Sequence, residues 1–187
     1  MAKALFISVT KLIKDTALNG SIDQDIAHPY IQISQDREIW PYLGTDLYNK
    51  LKTDVIADSL SGAYQTLMND YIQPALVQFA FCEVLPFLRV RIVNNSIVVM
   101  SSEQSSPASE GEMKRLIDRS RSIGEFYRER MIDYICHNQS SFPEYSTNTN
   151  DDLTPRKQGN YTGGMNLSTV YDSKKAEQLL RDAGIDI

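Results

Sequence analysis

Apolar positions recur at helical spacing along most of this chain as far as Asn138. Val9, Leu12 and Ile13 follow Ser8, whose hydroxyl suits an N-cap. Asn19-Gly20 supplies a stop, because glycine adopts the left-handed conformation at little cost. A second helix is expected from near Asp23, with Ile26, Tyr30, Ile33 and Trp40 on one face. Pro29 marks its first turn or a restart, and Pro41 and Gly44 end it. Thr45 is placed to cap a third helix, in which Leu47, Leu51 and Val55 recur every four residues, and a turn follows at residues 59–62. The fourth helix, over 63–88, is amphipathic in its first half and apolar on every side in its second, the pattern of a central helix. Pro74 and Pro86 each lack a backbone donor and are expected to kink or break it.

Beyond residue 88 the period changes. Arg89-Val90-Arg91-Ile92-Val93 and Ser96-Ile97-Val98-Val99-Met100 are β-prone runs on either side of Asn94-Asn95, so a hairpin is expected at 89–100. A serine-rich loop over 101–111 leads to a long fifth helix at about 109–138. Its stripe is Met113, Leu116, Ile117, Ile123, Tyr127, Met131, Tyr134 and Ile135, with small gaps at Ser120 and Gly124 where another helix can approach. Its six acids and six bases between Glu110 and Asp133 predict a salt-bridged outer face that includes Glu125, Arg128, Glu129 and Asp133. Residues 138–164 contain only four apolar side chains, too few to offset an ordering entropy of ~1–2 kcal/mol per residue. An extended arm is therefore expected there, ordered only where a neighbour supplies surface. Ser173 then caps a short helix over 174–183. The fold class is mainly α: a bundle of about five helices with one β-hairpin insertion and an extended C-terminal arm. The helical domain is placed at 1–145 and the arm at 146–187.

Composition narrows the function. A 187-residue chain that is 42% hydrophobic can bury a core of its own, and a net charge of -5 argues against a protein built mainly to grip nucleic acid. Two cysteines and two histidines exclude a disulfide framework and disfavour a zinc cluster. The first ten residues lack the long apolar stretch of a signal peptide. The run from Pro74 to Leu88 is interrupted by Gln78, Glu83 and Pro86 and falls short of the ~20 residues a spanning helix needs, so it reads as a core helix. The expectation is a cytosolic protein with Cys82 and Cys136 reduced.

Candidates for chemistry are few. Gly163-Gly164 lacks the strand, spacing and lysine of a phosphate loop. His28 precedes a proline, His137 suits a helix C-terminus as a favourable charge, and Cys82 lies in the apolar helix as a small core residue. Cys136 and His137 are adjacent and so point apart on a helix. Glu83, set in an apolar run, is expected to pair with an arginine of the long helix. Arg89, Arg91, Arg115, Arg119 and Arg121 form a basic patch or, given the interleaved acids, a solvated face. No catalytic, cofactor-binding or metal-ligating set emerges, and the chain is read as not an enzyme.

Several phrases carry a family resemblance. They are Ala4-Leu5-Phe6-Ile7-Ser8, Trp40-Pro41-Tyr42-Leu43-Gly44-Thr45-Asp46-Leu47-Tyr48, Tyr71-Ile72-Gln73-Pro74-Ala75-Leu76 and Glu83-Val84-Leu85-Pro86-Phe87. Glu125-Phe126-Tyr127, Asp133-Tyr134 and Phe142-Pro143-Glu144-Tyr145 complete the set. In this order, over about Ala4 to Tyr145, the chain resembles the helical head–tail connector, or adaptor, proteins of Bacteroidetes and crAss-like phages. The resemblance implies a virion structural protein forming a ring, typically a dodecamer, below the portal, assembled in the host cytoplasm and extending the DNA channel toward the tail. Its implied partners are other copies of itself, the portal protein and other connector or tail proteins. Genomic DNA would pass without specific binding, and neither a membrane nor a cofactor is involved. On this reading Ile92, Val93, Ile97, Val98 and Val99 bury against an adjacent protomer or ring, because a lone hairpin is marginal in water. Tyr161, Leu167, Val170, Tyr171, Leu179 and Leu180 anchor the arm to the portal or the next ring. Removal of residues 148–187 is expected to leave a folded domain. The rival reading is a DNA-binding packaging component such as a small terminase-like ring protein.

Overall fold

The structure, a computed structural model, describes residues 4–18, 24–93, 96–99, 109–147 and 149–157, with backbone only at 89–93 and 96–99. The described chain is mainly helical. Six helices follow one another: α1 (Val9–Asp15), α2 (residues 24–43), α3 (Thr45–Ile56), α4 (residues 62–89), α5 (Glu110–His137) and α6 (Pro143–Thr147). Two strands, β1 (Val90–Val93) and β2 (Ser96–Val99), pair antiparallel with Val90 opposite Val99.

Helix α4 is the axis of the fold. Its apolar positions Leu67, Ile72, Leu76, Phe79 and Val84 are buried, with α2 packed on one side and α5 on the other. It is the one helix among the described residues long and apolar enough to cross a membrane. Here its apolar side chains form the protein's own core, together with Leu12, Ile31, Leu43, Leu51 and Ile135.

Local rules account for the helix starts. Ser8 caps α1 by accepting from Lys11 N at 3.1 Å. Ser109 and Glu112 cap α5 reciprocally: the Ser109 hydroxyl accepts from Glu112 N at 3.3 Å, and the Glu112 carboxylate accepts from Ser109 N at 2.9 Å. Helix α1 ends at Asp15, short of the expected Asn19-Gly20 stop, because the Thr16 hydroxyl donates back to Leu12 O at 2.6 Å. Thr45 does not cap α3; Gly44 occupies that position with φ 76°, and the Thr45 hydroxyl is used elsewhere.

Helix α2 corrects the expected stripe. Ile26 and Ile33 are exposed, while Ala27, Ile31, Gln35, Ile39 and Leu43 are buried. These buried positions recur every four residues, a spacing that drifts by about 40° per step around a regular α-helix. The wider π turn at Gln35–Ile39 takes up that drift. A second π turn, Leu67–Ile72, explains why Pro74 breaks nothing. Gln73 N already bonds five residues back to Met68 O, so the donor that Pro74 lacks falls where the regular ladder is interrupted. Pro86 lies close to the end of α4 and also leaves it helical to Arg89.

Most of the expected stripe of α5 faces inward: Met131 and Ile135 are buried, and Met113, Ile117, Tyr127 and Tyr134 pack partly covered against the core. Leu116 and Ile123 are exposed instead, and Ser120, Gly124, Arg128 and Ile132 join the buried face. The small-residue gap expected at Gly124 is real: a Cβ there would stand 2.9 Å from Phe79 Cε1.

The chain does not leave the domain after Tyr145. Phe142 and Tyr145 are fully buried, and residues 149–157 run back across the start of α3. The expected last helix at 174–183 lies outside the described residues, as do Gly163-Gly164 and the anchors Tyr161, Leu167, Val170, Tyr171, Leu179 and Leu180. Ile92, Val93, Ile97, Val98 and Val99 lie in the strand pair, and their side-chain surroundings fall outside the description.

Candidate functional site

Three constellations stand out. The first is an ion cluster joining α2, α4 and α5. Arg128 on α5 donates to Glu38 on α2 at 2.8 Å, with both side chains nearly buried. Its guanidinium lies 4.4 Å from the Tyr42 ring centroid and 5.3 Å from that of Phe79, so cation–π attraction supplements the ion pair. Arg121 lies 3.6 Å from Glu38 and 4.0 Å from Glu83. The nearest partner of Glu83 is Arg37 on α2, at 3.1 Å, so the expected pairing with the long helix is present but is the longer of its two contacts. Arg128, expected on the outer face, is one of the members sequence reasoning missed, with Arg37 and Glu38. Its four-residue register with Ser120 and Gly124 was the available signal.

The second is a cavity of about 230 Å³ lined by Gln32, Gln35, Asp36, Trp40, Tyr48 and Lys52 among others. Its central polar groups bond to one another. Tyr48 donates to Asp36 at 2.7 Å, and Gln35 donates to Tyr48 at 2.9 Å and to Ala4 O at 3.0 Å. Burial pushes the Tyr48 phenol far above its ordinary value, so it stays protonated. Trp40 stacks on Tyr48 at 5.2 Å, which occupies one face of the indole.

The third is the strap at 149–157. The Asp46 carboxylate accepts from Thr149 N at 2.6 Å, Thr149 Oγ1 at 2.9 Å and Asn150 Nδ2 at 3.0 Å. The Thr45 hydroxyl donates to Asp152 at 3.2 Å and accepts from Leu153 N at 3.1 Å. Two main-chain bonds, Thr45 N to Leu153 O at 2.9 Å and Arg156 N to Pro41 O at 3.0 Å, fix the register. Pro155 lies so close to Gly44 that a Cβ there would meet its Cδ at 2.7 Å.

The cysteines and histidines singled out in the sequence lie outside these three constellations. Burial pushes the Cys82 thiol up to about 11, and its hydrogen faces Ile117 O at 3.4 Å, so it is a poor nucleophile. His137 Nδ1 lies 2.9 Å from Asp133 O at the end of α5, and His28 is exposed. Among the described residues no group of His, Cys, Asp and Glu is placed to hold a metal ion. Of the basic patch, Arg115 and Arg119 are exposed, Arg121 turns toward the two glutamates, and the side chains of Arg89 and Arg91 lie outside the description.

Residues 39–154, more than half of the chain, match a family of unknown function, DUF6712. The chain belongs to that family. The DUF6712 match takes in all three constellations in part, and it omits α1 and α2 as far as Glu38. Neither a curated protein nor a solved structure matches the chain.

What remains exposed on this DUF6712 member is apolar in places where it has no need to be. Ile26 is 47% exposed, Ile33 45% and Phe87 44%, and Tyr30 stacks on Phe87 at 4.6 Å between them. They belong to the end of the bundle from which β1 departs. Leu116 and Ile123 are exposed on α5.

Proposed function

We propose that this DUF6712 protein is a virion structural component, a head–tail connector whose copies form a ring below the phage portal and continue the DNA channel. The observation that carries the reading is the group Ile26, Ile33 and Phe87 standing exposed where the strand pair leaves the bundle. Apolar groups at a polar surface are the usual mark of a surface that meets another protein. In this reading the finer architecture is a hairpin insertion at 89–100 reaching a neighbour, and an arm that docks on the portal or the adjacent ring. An ion cluster that ties three helices together and a packed aromatic core suit a rigid wedge rather than a site of turnover. The virion junction is its place of work, and the host cytoplasm its place of assembly.

Mass photometry and negative-stain electron microscopy of the full chain, alone and with a portal protein of the same phage, test this. Rings, or complexes with the portal, are expected. Ile33→Asp with Phe87→Asp is expected to abolish them while leaving the helical circular dichroism intact. A monomer at all concentrations that ignores the portal would remove the proposal. Salt-sensitive capture of duplex DNA by the monomer would favour a packaging component instead.

A further inference from the structure

The strap at 149–157 is held almost wholly by polar contacts. Its residues are exposed except for the partly covered Pro155. Little apolar area is therefore lost when it lifts, and segments of this kind open at a small fraction of the global free energy. Its docking is nonetheless specific: one carboxylate, one hydroxyl and two main-chain bonds fix the register, and Gly44 leaves room for Pro155. We infer that residues 149–157 are a detachable latch, with Asp46 as its catch, that opens as a unit while the helical core stays folded.

The consequence is geometric. With the latch closed, the chain is fixed as far as Lys157, whose ammonium lies 5.9 Å from the Tyr145 ring centroid. With it open, the last fixed element is α6, which ends at Thr147. About ten residues of tether are then released, worth up to ~30 Å of added reach for whatever follows. This does not depend on the connector reading.

Hydrogen exchange of the full chain tests it. Asn150→Ala sits on the latch itself and leaves the core untouched; Asp46→Ala removes the catch but also an acid from the first turn of α3, so the first variant is the decisive one. Losing one bond to a carboxylate is expected to speed exchange of the Leu153 and Arg156 amides by about three- to tenfold, with the amides of Leu76 and Ile135 unchanged. Faster tryptic cleavage after Arg156 and Lys157 should accompany it. Two results would overturn the latch: Leu153 and Arg156 amides exchanging in step with Leu76 in the wild-type chain, or unaltered exchange in Asn150→Ala.

Discussion

Arg128 reaches Glu38 at 2.8 Å across the face of Tyr42, and this contact ties the long helix α5 to the C-terminal half of α2. Both side chains are nearly out of water, so removing one partner strands a charge. Arg128→Ala is expected to lower stability by about 3 kcal/mol in urea unfolding. Arg128→Met, which fills the slot between the rings but still leaves Glu38 with only Arg121, should be milder. Equal losses for the two would show that the stranded charge, and not packing between the rings, accounts for the loss.

Gly124 sets the distance between α4 and α5. A methyl there gains helix propensity worth about 1 kcal/mol but drives the Phe79 ring aside, at a cost of about 1–3 kcal/mol. Gly124→Ala is expected to be destabilising in the native background and neutral or stabilising beside Phe79→Leu. Thermal melts of the four chains give the coupling, and additivity would contradict the contact.

Asp46 gives the latch a pH limit. Bonds from Asn150, and then from the Thr149 amide, favour its ionised form and hold its carboxyl below the ordinary 3.8. A lowered folded-state value means that the contribution is complete above 3.8 and disappears as pH falls through the lower value. Asp152 on the strap meets the Thr45 hydroxyl and not Asp46. The Thr149 amide resonance should be constant from pH 7 to about 4.5 and move only in more acidic solution. A transition centred at or above the ordinary value would rule out the catch.

The two cysteines should differ in reactivity. With its thiol pushed up to about 11, Cys82 holds roughly one part in a thousand as thiolate at pH 8, and it is buried. Cys136 is partly exposed. Iodoacetamide at pH 8 is expected to label Cys136 first and Cys82 only on the timescale of unfolding, as read by mass spectrometry of peptides. Equal labelling would mean that α4 is far more open than its packing indicates.

What the sequence made legible was the set of helices with strong local signals. Ser8 is a cap because its chemistry is local, and Leu47 and Leu51 are core because α3 is regular throughout. The faces of α2 and α5 were legible only in part. In α2 a π turn alters the period, and no propensity marks Gln35–Ile39 as a wide turn. In α5 the apolar stripe was readable apart from Leu116 and Ile123, but Arg128 is buried beside it, and hydropathy reads an arginine as surface. The strap was misjudged because counting apolar residues ignores main-chain bonds, and Leu153 and Arg156 contribute through their backbones. Of the ion cluster, Glu83 was found because a carboxylate in an apolar run is conspicuous; Arg37 and Glu38 sit in a polar stretch and gave no such contrast.

The wide turn in α2 also marks where that helix tolerates a deletion. Excising one residue from 35–39 would let the helix wind regularly while both halves keep their faces, because the wide turn already holds one residue more than a regular turn. Ala27, Ile31 and Ser34 would stay buried. The same single-codon deletion in a regular stretch of α2 would rotate everything upstream by about 100°, so this turn is where the helix can change length without rebuilding the interior.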